Sequence, residues 1–242
     1  MTMKKTLVTI ILTGLCFTSF SQTTETKTRS GRPDIPGTFV VELGVNRTPG
    51  AASNVSLGLW GSRTLNVYYQ YDLRIAKSKF SVVPGIGLSM ERFKFKDFRT
   101  LGYDADSLML MLPEDLGLPN MRKSQLITNY IDIPVELKYS SKPEDPSRSF
   151  KVSIGGRIGY LYDGFTKIKY KDDGDVYKIK NKQDWNLNRL RYGVFGKLGI
   201  GNFSFFTYYN LTNLFEDDGA LWQARQQTNF NTFTVGISLS SF

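Results

Sequence analysis

The chain contains no histidine, and its single cysteine is Cys16. Without histidine, the general base of a Ser-His pair is missing, and so is the commonest zinc ligand. If Cys16 leaves with an export segment, no disulfide and no thiolate chemistry remain. Long apolar runs are also lacking. The one candidate, residues 7–17, falls short of the about 20 residues that a spanning helix needs. A mature chain of this kind can enter a membrane only as a closed barrel, because only helices and barrels satisfy their backbone in hydrocarbon. No enzyme activity, cofactor or metal site is therefore expected.

The start of the chain reads as a signal peptide, residues 1–21. Lys4 and Lys5 precede the apolar stretch, and Ser19-Phe20-Ser21 supplies small residues at the cleavage site before Gln22. Leu15 is too large for a lipoprotein site ahead of Cys16. Losing Lys4 and Lys5 lowers the formal charge from +9 to +7. A basic balance can mark a nucleic-acid binder. In this chain Lys and Arg alternate with apolar residues or sit beside Asp, so no nucleic-acid partner is expected. Outer membrane lipid and lipopolysaccharide suit the charge better, with a second envelope protein as a further partner for the outer loops.

What the chain does have is alternation. Leu65, Val67, Tyr69, Tyr71, Leu73 and Ile75 take every second place, with Asn66, Tyr68, Gln70, Asp72 and Arg74 between them. In a strand this puts an apolar face on one side and a polar face on the other. Eight such stretches are predicted, at about 37–46, 64–75, 80–95, 125–139, 150–162, 190–200, 203–215 and 231–242. A polar lead-in, 22–36, precedes them. Short links alternate strictly with long ones at 47–63, 96–124, 163–189 and 216–230. This is the layout of an all-β, eight-stranded antiparallel up-and-down transmembrane β-barrel, residues 37–242, with short turns and both ends in the periplasm. A soluble barrel would show the same period with its faces exchanged. Aromatic residues near strand ends, Tyr71, Phe80, Tyr139, Tyr160, Tyr162, Tyr192, Phe203 and Tyr209, favour the membrane.

Two irregularities stand out. Phe93 and Phe95 have the opposite parity to Phe80, Val82 and Ile86, which predicts a β-bulge near Glu91-Arg92. Pro84 and Pro134 lie inside strands, where a local break in pairing is expected at each.

The polar face should fill the lumen, because eight strands leave room for little more than side chains. The predicted ion-pair network comprises Glu42, Asp72, Asp132 and Glu136 against Arg74, Lys138, Lys151, Arg157, Arg191 and Lys197. The longest outer loop holds Leu108, Met109, Leu110, Met111 and Leu112, then Leu116, Leu118 and Met121. This adaptable apolar set is a candidate interaction site, or else it folds over the barrel mouth. Residues 167–171 and 176–180 alternate about Asp173-Gly174 and predict a hairpin with a basic face, suited to lipopolysaccharide. The runs Asp172-Asp173-Gly174-Asp175 and Asp217-Asp218-Gly219 lack the spacing of a calcium loop and read as turns.

Three segments carry a resemblance. Tyr130-Ile131-Asp132-Ile133-Pro134-Val135-Glu136-Leu137-Lys138-Tyr139, Gly155-Gly156-Arg157-Ile158-Gly159-Tyr160-Leu161 and Tyr208-Tyr209-Asn210-Leu211-Thr212-Asn213-Leu214 resemble the PorT-like porin family of small outer-membrane barrels. Asn210 stands where that family usually has glycine. The resemblance implies the OmpX/OmpA-type eight-stranded architecture. It also allows an accessory part in secretion, beside a structural role or a narrow, gated transport barrel. The terminal Phe242 departs in parity from Phe233, Val235, Ile237 and Leu239.

Overall fold

The computed structural model describes residues 37–49, 57–58, 60–96, 99–104, 107–118, 120–216, 222–223, 226–227 and 230–241. The signal segment 1–21, the lead-in 22–36 and Phe242 lie outside the described residues. Eight strands form the wall: β1 Thr38–Arg47, β2 Arg63–Gln70, β3 Phe80–Lys94 and β4 Met121–Ser140, then β5 Phe150–Asp172, β6 Leu190–Ile200, β7 Phe203–Asn210 and β8 Phe233–Ser240. Each pairs antiparallel with the next, and β8 returns to β1, where Leu43 faces Ile237. The ring is closed, so none of the eight wall strands is left as an edge strand within it.

The period-two pattern decides which side faces out. Ile133, Ile154 and Ile158 are 55%, 68% and 62% exposed, while Asp132, Arg157 and Arg191 are at most 4% exposed. A protein dissolved in water does not arrange its residues so, whereas a barrel in lipid must. Along β5, Phe150 and Tyr160 bracket the exposed aliphatic residues. Ten residues span about 33 Å of strand, or about 25 Å of height at the usual tilt, the thickness of an outer-membrane apolar band. At the short-turn end, Phe39 packs on Tyr69 and Phe80 on Tyr139, at ring-centre distances of 5.3 and 5.4 Å.

Some strand limits differ from expectation. β2 stops at Gln70, and a separate short strand, Leu73–Arg74, pairs with β3. β4 and β5 continue well beyond the apolar belt. There β5 turns through Asp173 (φ 44°) and Gly174 (φ 94°) into a ninth segment, Asp175–Asn181. Two left-handed residues make the tight turn that Asp-Gly favours. At the long-loop end, Thr100–Asp104 and Ser107–Met111 form a hairpin joined by Trp222–Gln223 and Gln226–Gln227.

The bulge expected at Glu91-Arg92 is absent. β3 keeps one register with β4 from Phe80↔Tyr139 to Lys94↔Gln125. Register shifts occur instead between β4 and β5, at Met121/Lys123 and Asn129/Tyr130. Neither proline shifts the register. The β3–β4 ladder only lapses between Pro84↔Val135 and Gly87↔Asp132, opposite Pro134, which has no N–H to give.

Candidate functional site

The lumen is built in layers by the inward parity of each strand. At the short-turn end lies an open polar vestibule of about 430 Å³, bordered by Gln70, Lys138, Lys151 and Ser240 and floored by Glu136 and Lys197. Asp72 pairs with Lys138 at its edge. Lys151 donates to the carbonyl of Gly201 at 2.8 Å, not to a carboxylate. Arg74 is a correction to the predicted network. Its short strand continues the β2 register on β3, opposite Ser81, and at the lumen mouth the guanidinium pairs with exposed Glu144 at 2.6 Å rather than with the inner carboxylates.

Above the vestibule, Lys197 sits between Glu42 and Glu136, 3.0 Å from each. The Asn66 amide donates to Glu42 at 2.9 Å, and Ser89 donates to Asn66 at 2.6 Å. One step further in, Arg191 grips Asp132 with Nη2 at 2.8 and 3.1 Å from its two oxygens. Its other terminal nitrogen reaches Glu91 at 2.7 Å. Arg157 donates to the Tyr68 hydroxyl at 2.6 Å, and Tyr68 donates to Asp132 at 3.0 Å. Both guanidiniums lie on rings: Arg157 is 3.4 Å from the centre of Tyr208, and Arg191 is 3.7 Å from that of Tyr130. Charge-assisted pairing plus a ring face is how a buried guanidinium recovers what it lost on leaving water.

Glu91 was missing from the predicted network because its position was given to a bulge. The signal for it was present. Ser81, Ser89 and Glu91 share one parity, and all three are buried on the inner face of β3. Gly159 serves the same chamber by what it lacks. A Cβ there would overlap Oδ1 of Asp132 and crowd Nε of Arg191. Around Tyr68, Pro134, Arg157 and Tyr208 the free space is about 10 Å³, no more than one water could fill.

At the long-loop end the lumen turns apolar. Phe93, Phe95, Leu126, Trp185, Leu187, Leu214, Phe215 and Phe230 form one buried cluster. Phe230 meets Phe93 and Phe215 edge-on, each at 5.6 Å between ring centres. The parity slip at Phe93 and Phe95 is thus a change in what the lumen holds, not a change in the strand. The loop predicted as an interaction site contributes here. Leu108 and Leu110 belong to the cluster, and Met121 is also buried, so these three offer no surface to a partner. Met109, Met111 and Leu118 are half-buried, while Leu112 and Leu116 stay exposed.

A family model described as the outer membrane protein beta-barrel domain matches residues 18–216. The chain belongs to this family. No curated protein matches the barrel. Among solved structures, the attachment invasion locus protein Ail of Yersinia pestis is 13% identical. That match covers 85% of this chain and 97% of Ail, with a TM-score of 0.36. The Neisserial surface protein A is 10% identical over 85% of this chain and 96% of its own, with a TM-score of 0.35. At such values no function passes from these proteins to this barrel.

Proposed function

We propose that this outer-membrane barrel is non-enzymatic and non-conducting. It stands with its short turns and both ends in the periplasm, and it acts as a structural element or through its outer loops. One observation carries this reading: the lumen narrows from the open vestibule to a chamber of about 10 Å³ and then meets a buried aromatic cluster. An ion would have to displace paired charges and cross apolar packing. The lack of histidine supports the non-enzymatic part. Of the candidate residues in the longest loop, Leu112 and Leu116 are the ones exposed enough to meet a second envelope protein.

Planar-bilayer recording tests the sealed lumen. The refolded chain should give no discrete openings at any holding potential. Regular single-channel steps would replace this reading with a gated transport barrel. Cross-linking in intact envelopes, followed by co-purification of a secretion component, would instead favour the accessory role that PorT-like kinship allows.

A further inference from the structure

The outer wall carries a groove that the lumen does not explain. It crosses β8, β1, β2 and β3 and encloses about 530 Å³. Its floor is one cross-strand row, Ile237, Leu43, Leu65 and Met90, joined by direct pairing. The next row toward the long loops holds Arg63 and Arg92, which face each other directly. Like charges placed so repel. Among the described residues neither is paired with a carboxylate. Arg92 lies twelve residues beyond Phe80, about 40 Å of strand or about 30 Å of height, where hydrocarbon gives way to headgroups.

Trp60 closes the groove. It is 81% exposed on a turn held by Ser62 N–H to the Gly58 carbonyl at 3.1 Å and by Gly58 N–H to the Lys94 carbonyl at 2.8 Å. Gly61 lets the stem of Lys94 lie against this turn, since a Cβ there would overlap it. An exposed indole on a fixed turn is placed as an interfacial aromatic is placed. Further positive charge follows along the same rim. Lys123 feels Lys94, Arg92, Arg63 and Lys167 together. Lys167 faces Lys180, and Lys169 faces Lys178.

We propose that this groove binds a phosphorylated glycolipid of the outer leaflet. One acyl chain lies on the Ile237–Met90 row, a phosphate rests between Arg63 and Arg92, and Trp60 packs at the headgroup boundary. The inference rests on the orientation proposed above, with the long loops outside. Charge complementarity and continuity with the lipid-facing belt select this occupant: the anion must carry acyl chains, and the guanidiniums fit phosphate by their forked donors.

The test uses the full mature chain refolded in detergent and titrated with bis-phosphorylated lipid A. Binding is read by native mass spectrometry and by quenching of Trp60 with brominated acyl chains. The Arg63→Gln/Arg92→Gln variant should bind roughly thirtyfold more weakly while keeping the heat-modifiable gel shift of a folded barrel. On the unaltered protein, phosphate-free lipid A should bind as weakly as lipid A binds that variant, and Trp60→Phe should abolish the quenching. Unchanged affinity in the double variant would overturn the site, as would equal binding of the phosphate-free lipid. Phosphatidylglycerol binding as tightly as lipid A would overturn the glycolipid. A chain that stays soluble without detergent would instead defeat the membrane reading itself.

Discussion

Arg191 holds both carboxylate oxygens of Asp132, and the two side chains, from β6 and β4, meet over Gly159 of the β5 strand between them. A bidentate pair over the intervening strand ties together two strands that share no backbone ladder. The paired charges are 2% and 0% exposed, so neither can fall back on water.

Asp132→Ala should therefore leave Arg191 and Arg157 with Glu91 as the one carboxylate they share among the described residues. The expected loss is roughly 3–5 kcal/mol, read as a lower temperature for the heat-modifiable gel shift. The variant should remain silent in planar bilayers, because the aromatic cluster above is intact. Large open channels in it would show that the charged layer alone had been the seal.

Gly159→Ala should hinder folding, since its methyl group would overlap Asp132. Gly156→Ala is the matched control. It lies on the same strand, faces outward, and meets only the Gly193 carbonyl at 3.5 Å. Comparing folded fractions after refolding separates the two. Equal yields would mean the chamber has slack that its geometry does not suggest.

Phe230→Ala should remove the ring that joins Phe93 to Phe215, at a cost of about 3–5 kcal/mol within the cluster. The wall should survive. Hydrogen exchange should quicken in Thr100–Asp104 and Ser107–Met111, whose Leu101, Leu108 and Leu110 pack against that cluster. Unaltered exchange there would mean the hairpin is held by its own ladder.

Lys123 lies on β4 beyond the apolar belt, and its ammonium is held below the usual 10.5. Burial is the chief cause, then repulsion from Lys94, Arg92, Arg63 and Lys167. Between its folded value and 10.5 the unfolded chain binds more protons, so stability rises with pH in that window. At neutral pH the repulsion is fully present, and Lys123→Met should raise the unfolding temperature. The advantage should fade as the pH approaches 10.5. An advantage that persists above that point would be packing, not charge.

Lys178→Glu should turn the Lys169–Lys178 repulsion into an attraction across the outer hairpin. The expected gain is roughly 0.2–1 kcal/mol, seen as slower amide exchange over Asp175–Asn181. Faster exchange would mean Lys178 is already stabilised by another group.

The wall was legible in the sequence because side chains alternate along a strand wherever its register is unbroken. Val67 and Tyr68, or Ile131 and Asp132, announce their faces by parity alone. Parity names the side but not its contents. Phe93 and Phe95 read as misplaced because the inner face was assumed polar throughout, and Glu91 was lost with them. Arg74 kept the right parity but pairs at the mouth with Glu144, a turn residue whose approach no strand pattern records. Leu108 and Leu110 stand out in the sequence as an apolar run in a loop, yet no local pattern shows that they share one buried cluster with Phe230. The groove at Arg63 and Arg92 depends on which strands are neighbours and at what register, which hydropathy does not record.

Phe93 and Phe230 lie far apart in the chain, one on the third stave and the other on the approach to the last. Their contact ties an early part of the wall to the segment that leads into its closing strand. Closure of the ring and cover of its outer mouth thus draw on the same final stretch of chain, with Phe230 in the aromatic packing and β8 paired to β1 just after it.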